Sequence, residues 1–220
     1  MLWCKEYIPI LMVGLVETVA MAAVSFLLGL IVGIGWTLLY SSKNKLIRAS
    51  ALLINNIIRG LPELLILFAI YFGGEFLLAS IFKQTSEVSI FAAGCLALGL
   101  IVGSYASKLF YSALLSIPKG DKEVAISLGL SSFKIFFLIL LPQMFRQTLP
   151  GLGSLWLLVI KDTALISLIG GSDLMSRTQI LVQNTQQPFY FYGMLAFVYL
   201  GLTMVSELGI KKVERKWLKN

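Results

Sequence analysis

The stretch from Glu123 to Pro142, EVAISLGLSSFKIFFLILLP, decides how the rest of this sequence is interpreted. It reads Glu-Val-Ala, three residues, Gly129, nine residues, and then Ile-Leu-Leu-Pro from Ile139. The stretch is amphipathic and carries charge, yet long apolar segments lie on both sides of it. We interpret it as a compact loop between two membrane spans, of a shape that suits a groove on a partner protein.

The composition is that of a membrane protein. Of the 220 residues, 58% are hydrophobic and 13% are charged, whereas soluble domains carry about 25% charged residues. Residues 18–42, 88–107 and 178–206 contain no Lys, Arg, Asp or Glu, and a membrane span needs roughly 20 mostly apolar residues. We therefore predict an all-α polytopic membrane protein, a single domain over residues 1–220. Its five spans are expected at about Ile10–Tyr40, Ala51–Phe72, Val88–Phe110, Leu149–Ile169 and Tyr190–Ile210.

The distribution of basic residues predicts the orientation of these spans. Cytoplasmic loops collect Lys and Arg. One side of the predicted topology carries most of the loop and tail cations, namely Lys43, Lys45, Arg48, Lys119, Lys122, Lys134, Arg146, Lys211, Lys212, Arg215, Lys216 and Lys219. The other side carries Lys5, Lys83 and Arg177. We therefore expect the N-terminus outside, the C-terminus in the cytoplasm, and the loop of about residues 116–146 in the cytoplasm.

The net charge, the residue types and the motifs of the sequence argue against several other functions. The net charge of +7 comes from short loops and the tail, so we expect contact with membrane lipid and no nucleic-acid partner. The sequence has no histidine, which removes the commonest metal ligand and general base, and we predict neither a metal site nor catalytic residues. No G-x-x-x-x-G-K-[ST] phosphate loop occurs, so the chain is not expected to hydrolyse ATP by that route.

The loop itself is predicted to contain two short helices. Pro118 and Gly120 end the preceding span, and Asp121 is a suitable N-cap for the first short helix. Gly129 can take the left-handed conformation that ends a helix. Ser131 can cap a second helix, which we expect to end before Pro142.

The spacing of this loop resembles the E-A-A-x3-G-x9-I-x-L-P motif in the membrane subunits of ABC-type importers, with Val124 at the second position where Ala is usual. Further stretches resemble polar amino acid permeases of the same family. They are Ile58–Leu65, Ile70–Gly73, Ser116–Gly120, Leu149–Gly153 and Lys161–Ile169. The resemblance covers residues from about 55 to 175, and the chain is identified as a member of this family.

The resemblance implies a type I ABC importer transmembrane domain in the bacterial inner membrane, itself not an enzyme. It implies that the loop docks onto a cytoplasmic ATPase dimer, which would hold ATP and Mg, so this chain needs no cofactor. It also implies a second, identical or related permease subunit and a periplasmic or surface-tethered amino-acid-binding protein. The coupling residues carried over from the motif are Glu123, Ala125, Gly129, Ile139 and Pro142.

Within the family the chain is most similar to the Q-type membrane subunits of bacterial arginine importers, because of Arg59-Gly60-Leu61-Pro62-Glu63 and of Ser104-Tyr105. Many relatives have G-N-E where this chain has Gly153-Ser154-Leu155, so other acids or an external protein would have to recognise a cationic substrate. Uptake of arginine or another basic amino acid is therefore expected. Importers of glutamine, glutamate or other polar amino acids and, more remotely, ion-gradient-driven transporters remain alternatives.

Charged residues inside the predicted spans indicate a substrate pathway. Such groups cost about 2.5–3.5 kcal/mol or more at mid-bilayer and usually face a bundle interior or a watery cavity. Arg59 and Glu63 are four residues apart, which puts them on one helix face within pairing reach. Pro62 breaks the ladder of backbone hydrogen bonds there and Gly60 loosens it, so we expect this broken helix to line the translocation path. A structural kink with an ion pair is an equal alternative. The candidate pathway residues are Arg59, Gly60, Pro62, Glu63, Ser104, Tyr105, Lys161 and Asp162.

Two pairs of small residues, Gly29-x3-Gly33 and Gly99-x3-Gly103, permit close helix contact. We favour packing within one subunit over dimerisation through these glycines.

Overall fold

The apolar segments form long helices in the computed structural model, which describes residues 2–82 and 88–218. Lys83 therefore lies outside the described residues. In chain order the helices are α1 (Leu2–Tyr40), α2 (Lys45–Gly60), α3 (Glu63–Phe82), α4 (Ile90–Ser116), α5 (Lys119–Ser127), α6 (Ser132–Ile135), a π-helical turn (Phe136–Leu140), α7 (Leu141–Asp162), a 3₁₀ helix (Thr163–Ile169), α8 (Leu174–Thr185) and α9 (Pro188–Leu218).

The prediction of five spans is confirmed. Within the described residues, five helical segments are long and apolar enough to cross a membrane: Tyr7–Tyr40, Glu63–Ile81, Ile90–Ser116, Ser132–Ile169 and Pro188–Trp217. The predicted orientation, with the N-terminus outside, stays a prediction.

The predicted second span, Ala51–Phe72, is wrong in its position. The chain breaks at Leu61, whose backbone is extended (φ −85°, ψ 145°), because the residue before a proline is sterically disfavoured in the helical region. The helix before the break, α2, has a polar and a nonpolar face, and the span is formed by α3 after Pro62. Arg59 and Glu63 therefore belong to two different helices.

The fourth span starts much earlier than Leu149. A continuous helical run extends from Ser132 to Ile169, so Pro142 does not end the second loop helix as predicted. The amide of Leu141 donates to the carbonyl of Phe136, a π-helical step of five residues. The extra residue in this turn relaxes the steric conflict between a proline ring and the carbonyl of the fourth residue before it. The loop and the fourth span are thus one helical rod.

The core is built around α4, the most buried of the five spans, and its closest contact is with α1. A Cβ added at Gly29 would lie 2.5 Å from Val102 Cγ1 and 3.1 Å from the carbonyl oxygen of Gly99. A Cβ at Gly103 would lie 2.5 Å from Val32 Cγ1 and 3.0 Å from the carbonyl oxygen of Gly29. Backbones this close leave no room for a side chain, which confirms that the two glycine pairs pack against each other within one subunit.

A short helix that the sequence did not predict, α8, covers one end of α1. Its N-cap is Asp173, whose buried carboxylate accepts from the amide of Met175 (3.0 Å) and from the Ser176 hydroxyl (2.6 Å). Burial raises the pKa of Asp173, and these hydrogen bonds lower it in part. Arg177 of α8 pairs with Glu17 of α1 at 3.2 Å. A polar string, Gln183-Asn184-Thr185-Gln186-Gln187, lies at the end of α8 and just before the fifth span.

Candidate functional site

The loop between the third and fourth spans forms a two-helix corner, as its sequence predicted. Its first helix, α5, ends at Ser127, and Gly129 follows with φ +75°, a conformation that favours glycine. The Ser131 hydroxyl accepts from the amide of Lys134 (3.4 Å) and caps α6. The corner is therefore set by local chemistry that the sequence shows directly.

Asp121 does not cap α5, which corrects one expectation. The N-cap position is Pro118, so Asp121 lies in the first turn, where a carboxylate still interacts favourably with the helix dipole. Its Oδ2 accepts from Nε2 of Gln143 at 3.1 Å, and the Ser116 hydroxyl bonds to Gln147. These contacts tie the loop to the first turns of α7.

The predicted coupling residues do not all face outward. Glu123, Gly129 and Pro142 are exposed and Ile139 is half-buried. Ala125 is 1% exposed, so its methyl group packs inside the loop. Among the predicted coupling residues, Ala125 therefore does not present its side chain to a partner.

Exposed apolar side chains flank Glu123 and were missed by the motif comparison. Val124 is 61% exposed, Leu128 74% and Phe133 71%. Clustered apolar residues on a polar loop mark an interaction site. A signal was present in the sequence, since these residues occupy positions that a solvated loop helix would fill with polar groups.

The charged residues predicted inside the membrane adopt two separate arrangements. Arg59, at the end of α2, lies over the ring of Tyr105 with its Cζ 4.9 Å from the ring centroid. Glu63, at the start of α3, lies close enough to Asp162, the last residue of α7, for the two carboxyl groups to interact electrostatically. No Arg59–Glu63 ion pair forms among the described residues, so that predicted pairing is wrong. The cause is the chain break at Pro62.

The remaining pathway candidates have different environments. Lys161 is exposed, and so are Gly60 and Pro62 at the break between α2 and α3. Ser104 is fully buried, and its hydroxyl donates to the carbonyl of Ile101 at 2.7 Å. Its own carbonyl accepts from the side-chain amide of Asn55 at 3.3 Å. Ser104 thus joins α2 to α4 and presents no free polar group to a pathway.

The Glu63–Asp162 pair is the arrangement whose chemistry suits the binding of a cation. Both acids sit at helix discontinuities: Glu63 follows the break at Pro62, and Asp162 precedes the change from α helix to 3₁₀ helix. Irregular backbone at membrane depth is tolerated where it lines a cavity. Two adjacent carboxyl groups repel one another and attract a cation, especially a guanidinium, which binds carboxylates with two parallel hydrogen bonds. Among residues 2–82 and 88–218 no group of three or more His, Cys, Asp or Glu is placed to hold a metal ion.

Five spans, an exposed loop corner with an apolar contact surface and paired acids at helix breaks define a membrane-embedded transport component rather than a soluble binding module. The model of the family described as "binding-protein-dependent transport system inner membrane component" matches residues 7–219. The chain belongs to this family, and it is a multi-pass inner-membrane permease subunit of an ABC importer.

Individual relatives agree along nearly the whole chain. The arginine ABC transporter permease protein ArtQ of Haemophilus influenzae is 36% identical over 215 residues, which are 98% of this chain and 96% of the relative. The histidine/lysine/arginine/ornithine transport system permease protein HisQ of Escherichia coli is 31% identical over 94% of this chain and 93% of its own length. A crystal structure of an amino acid ABC transporter with histidines superimposes with a TM-score of 0.82 at 26% identity, covering 98% of this chain and 97% of that one.

Proposed function

We propose that this permease subunit takes up basic amino acids, arginine foremost, and that the Glu63–Asp162 pair lies on the path of the cationic side chain. The relatives named for arginine and for histidine, lysine, arginine and ornithine transport support a basic substrate. The observation that carries the proposal is the convergence of two carboxyl groups from α3 and α7. Many relatives have an acid, in the string G-N-E, where this chain has Gly153-Ser154-Leu155. We propose that Glu63 and Asp162 supply the negative charge that is missing at that position.

Arg59 and Tyr105 have a separate place in this proposal. The guanidinium of Arg59 rests on the aromatic face of Tyr105, a contact worth about 0.5–1 kcal/mol at an exposed site and about 2 kcal/mol or more when desolvated. Held there, the cation stays clear of the acid pair and does not neutralise it. The acids are left to interact with a substrate cation.

The loop corner is proposed as the docking surface for a cytoplasmic ATPase dimer that holds ATP and Mg. Glu123, Val124 and Leu128 combine one charge with exposed apolar groups on a short helix, and such a helix end fits a groove on a partner. This role requires the loop in the cytoplasm and the N-terminus outside, as the distribution of Lys and Arg indicates. A second permease subunit, identical or related, and an external amino-acid-binding protein complete the proposed assembly.

The decisive experiment measures ATP hydrolysis by the complete complex in proteoliposomes, with its ATPase and binding protein, across a panel of amino acids. Stimulation by arginine, lysine, ornithine or histidine alone supports the proposal. Stimulation by glutamine or by acidic amino acids would keep the importer and overturn the substrate. Hydrolysis that responds to no amino acid, with uptake driven by an ion gradient instead, would overturn the ATP-driven mechanism as well.

A further inference from the structure

An apolar groove runs lengthwise between α7 and α9, with α1 as its floor. It encloses about 450 Å³. Phe26 of α1, Leu149, Gly153 and Trp156 of α7, and Gly209 and Val213 of α9 are among its lining residues. Gly209 leaves the groove open at its position, because a Cβ there would meet nothing within 4 Å.

A basic pocket continues this groove toward the C-terminal end of α9. It encloses about 480 Å³ and is lined by Pro142, Gln143, Arg146, Lys216 and Trp217. Residues three or four apart are neighbours on a helix surface. Arg146 comes three residues before Leu149, and Lys216 comes three residues after Val213. The groove and the pocket therefore follow one another along the same two helices.

The two cations of this pocket form no ion pair with another described residue. Within the described ranges, neither Arg146 nor Lys216 takes part in an ion pair, whereas Lys211 of the same helix is neutralised by Glu207 at 2.7 Å. Two unpaired cations beside a tryptophan at the end of a membrane span, above a long apolar groove, have the chemistry that complements an anionic lipid.

We propose that the groove and the pocket together bind one anionic phospholipid. An acyl chain would lie in the apolar groove against Trp156 and Val213, and the phosphate would lie between Arg146 and Lys216 with Trp217 at its side. Basic pockets between spans are typical sites for anionic lipid headgroups, and the groove explains why such a lipid would stay there.

This site is separate from the acid pair. Nine residues separate Gly153 from Asp162, so at 100° per residue they lie on opposite faces of α7. The groove also faces α1, while Glu63 reaches Asp162 from α3. Lipid binding at the groove therefore does not depend on the proposed substrate, and its test does not require transport.

The geometry provides matched control variants. A Cβ at Gly209 or at Gly201 of α9 would meet nothing within 4 Å, but only Gly209 lines the groove. Gly209→Leu should fill the groove, and Gly201→Leu should leave it open with the same change in composition. Nine residues separate groove-lining Ser206 from Arg215, which places Arg215 on the opposite side of α9. Arg215→Gln is therefore the charge control for Arg146→Gln.

The experiment delipidates the purified full chain, offers dioleoylphosphatidylglycerol or dioleoylphosphatidylcholine, and counts retained lipid by native mass spectrometry. We expect wild type to retain the glycerol lipid over the choline lipid. Arg146→Gln should weaken this retention about fivefold and Gly209→Leu should abolish it, while Gly201→Leu and Arg215→Gln retain it as wild type does.

Three results would overturn the proposal. The first is equal retention of the two lipids by wild type, and the second is equal retention by Gly209→Leu and Gly201→Leu. The third is unchanged lipid retention by Arg146→Gln together with loss of a copurifying ATPase, because the basic pocket would then be a protein contact.

Discussion

Replacing either acid of the Glu63–Asp162 pair by its amide should weaken the binding of arginine to the permease directly. The variants are Glu63→Gln and Asp162→Asn, which keep side-chain size and remove one charge each. The two acids come from separate helices and meet at helix breaks. Asp162 occupies the N-cap position of the 3₁₀ helix, but its side chain makes no capping hydrogen bond that Asp162→Asn would remove.

The size of the effect follows from the contact that is lost. A hydrogen bond to a charged group contributes about 1.5–3 kcal/mol, and about 1.4 kcal/mol is a factor of ten in a dissociation constant. Each single variant should therefore raise the arginine dissociation constant roughly 10- to 150-fold. The double variant should fall short of the product of the two effects, because neighbouring groups are not additive.

The assay must exclude the external binding protein, whose own affinity would set the concentration dependence of uptake. Scintillation-proximity binding of radiolabelled arginine to the permease–ATPase complex in detergent measures the membrane site alone. Glu75→Gln is the control. It removes an acid from the same helix, α3, about 18 Å away at 1.5 Å per residue.

Unchanged arginine binding by both single variants would refute the assignment of the acid pair to the substrate. An equal loss in Glu75→Gln would show that general electrostatics, and not this pair, attracts the cation. A third result, unchanged binding with slower substrate-stimulated ATP hydrolysis, would move the acids from substrate recognition to the conformational step.

Four further outcomes are expected. Glu123→Lys should abolish arginine uptake and ATPase copurification while the chain still inserts into the membrane, and unchanged uptake would remove the docking role of the loop. Arg59→Ala should impair transport but leave the ATPase bound, so a loss of ATPase in pull-down assays would make Arg59 structural. Gly103→Ala should lower the melting temperature in detergent, since overpacking costs about 1–3 kcal/mol and its Cβ would meet Val32 at 2.5 Å and backbone at 3.0 Å. Gly201→Ala, with nothing within 4 Å, should not lower it. Because burial raises the pKa of Asp173, its neutral form stabilises the fold at low pH and that stability declines as pH rises through the raised pKa. Asp173→Asn keeps the cap and should flatten the dependence of melting temperature on pH, and an unchanged slope would exclude this carboxyl as its source.

The features that the sequence predicted correctly are local or compositional. Three charge-free runs are long enough to require spans, and two further segments are apolar enough to span although they carry charges, which is why five spans were predictable. Gly129 and Ser131 have the conformational and hydrogen-bonding properties that a helix end and a helix start require, and both hold those positions. The contact between the glycine pairs of α1 and α4 was also predictable, because an apolar helix with two small residues per face has few other ways to pack.

The wrong predictions about the second and fourth spans share one physical cause, the behaviour of the helix at a proline. At Pro62 the chain breaks so fully that Arg59 and Glu63 belong to separate helices, and the ion pair considered as an alternative does not form. At Pro142 the helix continues, because a π-helical turn before it makes room for the ring. Local sequence shows that a proline disturbs a helix. Whether the helix then breaks or continues through a π-helical turn depends on how it packs against neighbouring helices.

The contact of Glu63 with Asp162 was outside the reach of sequence reasoning for a different reason. Ninety-nine positions separate them in the chain, and each alone has the ordinary interpretation of an acid near a helix end. Only the packing of α3 and α7 around α4 brings them together. The groove between α7 and α9 is likewise a property of two helices, although its cations are visible individually in the sequence.

The helical run from Ser132 to Ile169 connects the proposed docking loop to the proposed substrate site in one piece. Its first turn belongs to the loop corner beside Gly129, and Asp162 lies near its far end, so a rod of about 45 Å joins them at 1.5 Å per residue. Glu63 lies on α3, which is not part of this rod. A tilt imposed on the loop by a docked ATPase would therefore change the separation of the two carboxyl groups. Since the attraction of a cation depends on both acids being close, movement of the rod would alter substrate affinity without any movement of the loop toward the substrate.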